Sequence, residues 1–87
     1  MATHTLKEWP EFFQPLHLGI KWFEVRLNDR QYQVGDTLVI KEYNPETDEY
    51  TGLELQKRIL YIQTAEELRR VGIPLNQGWV ILGLGVM

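Results

Sequence analysis

The alternation of hydrophobic and polar residues along the chain predicts short β-strands separated by turns. The runs with this pattern, or with a continuous apolar character, cover residues 4 to 8, 22 to 27, 37 to 43, 53 to 63 and the C-terminal GWVILGLGV. The second run stops at Asn28-Asp29, a turn-forming pair. A polar stretch over residues 44 to 52, which contains proline and glycine, predicts the loop of a long hairpin between the third and fourth strands.

Between the first two runs, the periodicity changes and predicts a short helix. Pro10 suits the first turn of a helix, because the missing amide proton has no intrahelical partner there. Phe12, Phe13 and Leu16 then form an apolar stripe at helical spacing, and Gly19 is placed to end the helix. We expect this helix to cover part of the core.

A second short helix is predicted after the fourth strand. Thr64 is a suitable N-cap with Glu67 three residues later, which is the pattern of a capping box, and Gly72 marks the end. Five strands and two short helices within 87 residues predict an α+β domain built on a small, closed or nearly closed barrel. No linker or repeat divides residues 1 to 87, so we expect one domain.

The second strand raises a question, because it combines charged and large apolar residues. Strict alternation places Trp22, Glu24 and Arg26 on one face and Phe23, Val25 and Leu27 on the other. We expect the apolar face to belong to the core. The other face would then present a carboxylate beside a guanidinium, with Lys21 at its mouth.

Composition restricts the classes of function. A net charge of −3 and a pI near 5.3 argue against a strong non-specific nucleic-acid binder, so any such contact must be local. The chain has no cysteine and two histidines, from which we expect no metal site and no cofactor. No apolar run resembles a signal peptide or a membrane span, and the expected location is the cytoplasm.

The order of the charged residues resembles a known family. The pattern G-x-K-x-x-E-x-R at Gly19, Lys21, Glu24 and Arg26, followed by VGD, is similar to the ASCH domain of the PUA-like superfamily. HTLK near the N-terminus, the run FEVRLNDRQYQVGD and the EY-x7-TG hairpin resemble more closely its DUF3850 branch, common in phages and bacteria. The resemblance implies a five- or six-stranded mixed PUA-like barrel with a cleft at the motif, and RNA-related binding.

These observations define a candidate binding site for RNA or a nucleotide. Its members are His4, Lys7, Lys21, Trp22, Glu24, Arg26 and Arg30. The guanidinium groups suit phosphate, the carboxylate suits an exocyclic amine, and an indole can stack on a base. The alternative is a structural salt bridge that closes one end of the barrel. A further possibility is a protein partner that contacts the acidic stretch over residues 44 to 54.

A second hypothesis is enzymatic. One ASCH branch similar to this chain hydrolyses the amide of N4-acetylcytidine with a lysine, a threonine and a later glutamate. Lys21 matches the lysine, but Glu24 occupies the threonine position and no later glutamate can be matched with it. A carboxylate would raise the pKa of the adjacent lysine, whereas catalysis by its amine requires a lower one. We therefore favour binding, with Lys21 and Glu24 as catalytic candidates only in the alternative.

Overall fold

The computed structural model describes residues 1 to 87 and contains five strands and two helices, as the sequence predicts. In chain order the elements are β1 (Thr3–Glu8), α1 (Pro10–His17), β2 (Phe23–Leu27), β3 (Thr37–Asn44), β4 (Glu49–Thr64), α2 (Ala65–Arg70) and β5 (Trp79–Gly85). The predicted loop over residues 44 to 52 is shorter than expected, because β3 and β4 continue their pairing up to Asn44 and Glu49.

The strands form one mixed sheet in the order β1-β3-β4-β5-β2. β1 pairs with β3 in parallel, and the other three pairs are antiparallel. The sheet curls into a half-barrel in which β1 and β2 are the two edge strands. We call the gap between these two edges the seam. No ladder of backbone hydrogen bonds joins β1 to β2 across the seam, so the contact between these two strands depends on side chains.

The core lies inside the curled sheet and under α1. Its buried side chains are Leu6, Phe13, Leu16, Tyr32, Leu38, Ile40, Ile59, Val80, Leu82 and Leu84. Phe13 and Leu16 come from α1 and confirm two of the three positions of the predicted helical stripe. Phe12, the third, is about half exposed and lies beside a surface cleft instead.

Both helices have the predicted ends. Gly19 adopts φ +78° after α1, a conformation that glycine reaches without a Cβ clash. In α2, the Thr64 side chain accepts from the Glu67 amide and the Glu67 carboxylate accepts from the Thr64 amide, which confirms the capping box. Neither helix is long and apolar enough to cross a membrane.

The predicted burial of β2 is wrong, because its two faces are exchanged. Phe23, Val25 and Leu27 are 47%, 41% and 46% exposed, whereas Glu24 is only 3% exposed. Glu24 and Arg26 do share a face, but it is the inner one, opposite Leu82 and Val80 of β5. The inward charge of Arg26 is tolerated because it pairs with Glu8 across the seam. The outward apolar residues lie instead beside the outer face of β5.

Candidate functional site

Two adjoining clefts open along β2. The larger has a volume of about 620 Å³ and is lined by Glu8, Phe12, Lys21, Phe23, Glu24, Val25 and Trp79. The smaller, of about 290 Å³, shares Glu8, Val25 and Trp79 and adds Leu6, Arg26, Leu27, Asp29, Arg30 and Tyr32. Because three residues line both, the clefts adjoin beside the seam, and we call the two together the groove.

The larger cleft has aromatic walls and one cation. Lys21 Nζ lies 5.5 Å from the centre of the Phe12 ring and 5.4 Å from that of Phe23. Its one hydrogen bond within the chain is a long contact of 3.5 Å to the Phe12 carbonyl. An ammonium group has three donors, so most of the hydrogen-bonding capacity of Lys21 is available to a ligand.

At the polar side of the cleft, one guanidinium lies between two carboxyl groups. Arg26 Nη2 donates to Glu8 Oε2 at 3.0 Å, and Arg26 Nε lies 3.7 Å from Glu24 Oε2. Glu24 Oε1 is buried and finds no donor among the chain's other groups. A buried charged oxygen without a partner is costly, which indicates that this carboxyl is protonated rather than ionised.

The environment of Glu24 favours its neutral form. Burial, the hydrogen bond with Glu8 and the charge of Glu8 together raise the pKa of Glu24 from 4.5 to about 8, against the opposing effect of Arg26 and Lys21. At neutral pH, Glu24 is therefore largely protonated. Arg26 donates to Glu8 and lies 3.7 Å from Glu24, so the three side chains form one cluster at the seam.

The two arginines predicted as phosphate ligands also close the seam. Arg26 Nη2 donates to the carbonyl of Lys7 at 3.1 Å, and Arg30 Nη1 donates to the carbonyl of Thr5 at 2.7 Å. Thr5 and Lys7 lie two residues apart in β1, so their carbonyls point to the same edge of the strand. The two arginines therefore satisfy two carbonyls of the unpaired edge of β1. The contacts of Arg26 are therefore those of a structural salt bridge, which was the alternative to phosphate binding.

Three predicted site residues lie away from both clefts. His4 Nε2 pairs with Asp36 Oδ2 at 2.8 Å, and this buried carboxylate also accepts from the backbone amides of Ala2 and Gln33. The hydrogen bond from His4, followed by that from Ala2, lowers the pKa of Asp36. His4 therefore stabilises the turn before β3.

Lys7 and Trp22 are likewise engaged elsewhere. The Lys7 ammonium lies 4.4 Å from the centre of the Tyr43 ring on the outer face of the sheet. The Trp22 indole donates to the Gly19 carbonyl at 2.8 Å, and Lys57 Nζ lies 4.0 Å from its ring. Of the seven predicted residues, the groove brings together Lys21, Glu24, Arg26 and Arg30.

Sequence reasoning missed several residues of the groove. Among them are Glu8, Phe12, Phe23, Tyr32 and Trp79. Glu8 is the last residue of β1 and, by alternation with Leu6, shares its inner face, which is a signal that the sequence contains. Trp79 begins the apolar C-terminal strand, where a large ring is normally assigned to the core.

Comparisons with known proteins place the chain in a family. The chain has 18% identity to the protein in "Crystal structure of hypothetical protein PH0355", with a TM-score of 0.62 and coverage of 100% of both chains, a likeness that concerns the fold alone. No curated protein matches the chain. A family model described as "Domain of unknown function (DUF3850)" matches residues 3–84. This match covers nearly the whole sequence, and the chain belongs to the DUF3850 family.

Proposed function

We propose that the protein binds a nucleotide or a short segment of RNA in the larger cleft. The observation that carries this proposal is the position of Lys21, whose ammonium lies 5.5 and 5.4 Å from the centres of the Phe12 and Phe23 rings in a cleft of about 620 Å³. A nucleotide combines a flat aromatic base with an anionic phosphate. The cleft offers a complementary group for each part.

The base is expected to contact the aromatic walls. Phe23 and Phe12 are both about half exposed, and Trp79 lines the same cleft. Stacking of a base on such rings contributes about 1 to 3 kcal/mol and depends weakly on base identity. The phosphate is then placed on Lys21, whose donors are largely unused within the chain.

The roles first assigned to Arg26 and Glu24 change in this proposal. Arg26 acts through Glu8 and the edge of β1, so it holds the cleft wall rather than the phosphate. Glu24, neutral and linked to Glu8, contributes a polar floor that does not repel an anionic ligand. The acidic net charge of the protein is compatible with binding because the cation is local.

A finer family relationship is part of the same proposal. We propose that the half-barrel is one of the PUA-like barrels and that the chain belongs to their ASCH group, on the G-x-K-x-x-E-x-R motif at Gly19, Lys21, Glu24 and Arg26. RNA-related binding is the theme that this resemblance implies. A cytoplasmic location agrees with such a ligand.

Amide hydrolysis of an N4-acetylcytidine-type nucleoside is the second candidate. It is favoured by the presence of Lys21 and Glu24 in one cleft. The residues differ from the threonine-containing pattern, however, and Glu24 is tied to Glu8 and Arg26 rather than placed to activate Lys21. Binding without turnover is therefore the preferred function.

The test is a calorimetric titration of the protein with the four 5′-mononucleotides and the matching nucleosides. Lys21→Ala should weaken nucleotide binding about tenfold, which corresponds to the loss of one charge-assisted hydrogen bond of about 1.5 kcal/mol. Lys41→Ala is the matched control, since Lys41 lies outside both clefts over the Tyr50 ring.

The same samples decide between the two candidates. Absence of nucleotide binding by the unmodified protein, or an equal effect of the Lys21 and Lys41 changes, would contradict the binding proposal. Acetate released from N4-acetylcytidine by the unmodified protein, and lost in Lys21→Ala, would favour hydrolysis instead.

A further inference from the structure

The smaller cleft contains a buried tyrosine whose hydroxyl has no partner in the protein. Tyr32 is 5% exposed, its ring belongs to the core, and it lines the smaller cleft. Its backbone amide donates to Asn28, but its hydroxyl takes part in no hydrogen bond of the chain. Unlike Glu24 Oε1, the unpaired Tyr32 hydroxyl is not fully enclosed by the protein, so solvent reaches it. A buried ring that presents a single unused donor at a cleft is a feature of ligand sites.

Arg30 supplies unused donors to the same cleft. Its Nη1 is held by the Thr5 carbonyl at 2.7 Å, which orients the guanidinium. The Nε and Nη2 groups make no hydrogen bond, because the nearest acidic oxygen, Asp29 Oδ1, lies 3.9 Å from Nε and belongs to a largely exposed side chain. A guanidinium anchored at one nitrogen and open at the others is suited to bind an oxyanion.

Each cleft has one available cation of its own. Lys21 lines only the larger cleft and Arg30 only the smaller, whereas Glu8, Val25 and Trp79 line both. The part that the clefts share is therefore apolar and aromatic apart from the Glu8 carboxylate, which is paired with Arg26. One mononucleotide phosphate placed on Lys21 leaves Arg30 unoccupied.

From this arrangement, we infer that the smaller cleft is a second phosphate subsite, formed by the Tyr32 hydroxyl and the Arg30 guanidinium. The ligand of the groove is then a single strand of at least two nucleotides rather than a mononucleotide. This inference rests on the proposed function, because it assigns the first nucleotide to the larger cleft.

Two acidic residues, Glu8 and Asp29, and two arginines, Arg26 and Arg30, line the smaller cleft, and the Asp29 side chain is 61% exposed. Burial raises the pKa of Tyr32 above 10.0, so its hydroxyl remains a proton donor at physiological pH. The carboxylate of Glu8, which lines both clefts, is paired with Arg26 at 3.0 Å. This pairing reduces its repulsion of a phosphate that passes from one cleft to the other.

The experiment compares each 5′-mononucleotide with the homodinucleotide of the same base that carries a 5′-phosphate, and the readout is the ratio of their dissociation constants. In the unmodified protein, the dinucleotide should bind at least about tenfold more tightly. Its affinity should also fall more steeply with salt, with a log-log slope of about −1.4 against about −0.7 for one phosphate.

Tyr32→Phe isolates the proposed subsite, because it removes a hydroxyl that bonds nothing in the chain and keeps the core ring. It should reduce the affinity ratio about tenfold, as expected for the loss of one hydrogen bond to a charged group. Tyr61→Phe, at an exposed tyrosine outside both clefts, should leave the ratio unchanged.

The outcomes separate the inference from the proposed function. Mononucleotide binding without any gain for the dinucleotide would overturn the second subsite and leave the first intact. An unchanged ratio in Tyr32→Phe would overturn the assignment of that hydroxyl. If neither ligand binds, the proposed function is wrong, and the inference that rests on it is wrong as well.

Discussion

Arg26 and Glu8 join the two edges of the sheet. Arg26 Nη2 lies 3.0 Å from Glu8 Oε2 and 3.1 Å from the Lys7 carbonyl, so one nitrogen of β2 bonds both a side chain and the backbone of β1. No backbone ladder connects these strands. The walls of the groove are therefore held together by side chains, and the binding site depends on the same residues that close the half-barrel.

Replacement of Arg26 by alanine should destabilise the protein by about 2 to 4 kcal/mol. The change removes the contacts to Glu8 and Lys7 and leaves two mostly buried carboxyl groups without their cation. Urea unfolding measures the difference. Arg69→Ala, at the exposed end of α2, is the control and should change stability by less than about 0.5 kcal/mol. Equal stabilities of the two variants would show that Arg26 does not hold the seam.

Stability should fall as the pH rises from 5 to 8. The pKa of Glu24 is 4.5 in an unperturbed carboxyl and about 8 in the folded protein, so over this interval the folded state binds one more proton than the unfolded state. The free energy of unfolding should therefore decrease by about 1 kcal/mol per pH unit from this group, and the effect should level off above pH 8.

Glu24→Gln is the control for this pH dependence, because an amide resembles the protonated carboxyl and does not titrate. The difference in stability between the variant and the unmodified protein should change with pH in favour of the variant. Asp36 does not contribute to this difference, since its pKa is held below 3.8 in the folded protein. Parallel pH profiles of the two proteins would contradict a protonated Glu24.

The two phenylalanines Phe13 and Phe23 should respond very differently to truncation. Phe13→Ala should cost about 3 to 5 kcal/mol, because its ring is fully buried in the core. Phe23→Ala should cost less than about 1.5 kcal/mol, since the ring is about half exposed beside the larger cleft. The sequence predicts instead that Phe23 belongs to the core, where its truncation would be costly. Denaturant melts that rank Phe23 as the more costly change would contradict the orientation of β2.

The sequence was informative wherever a local rule determined the structure. The capping box at Thr64 and Glu67, the glycine after α1 and the number of strands all follow from short-range chemistry. Alternation also grouped Glu24 correctly with Arg26. It could not decide which face of β2 is buried, because that depends on what lies opposite. Here a long-range partner, Glu8, pairs with Arg26, while burial and Glu8 raise the pKa of Glu24 and favour its neutral form.

The site was harder to predict than the fold for the same reason. Lys21, Glu24, Arg26 and Arg30 lie in the groove, but the contacts that determine their roles come from β1, which is distant in sequence. Trp79 and Tyr32 enter the groove through the pairing of β5 with β2 and the loop after β2. No local pattern marks these tertiary relationships.

The most direct test of nucleotide binding in the larger cleft is a crystal structure of the protein with a bound 5′-mononucleotide. We expect the base to contact Phe23 and Trp79 and a phosphate oxygen to lie within hydrogen-bonding distance of Lys21 Nζ. Arg26 should remain on Glu8 and Lys7, as it is here. A nucleotide bound elsewhere, for example on the outer face of the sheet at Tyr43 and Tyr50, with the groove empty, would contradict the central claim.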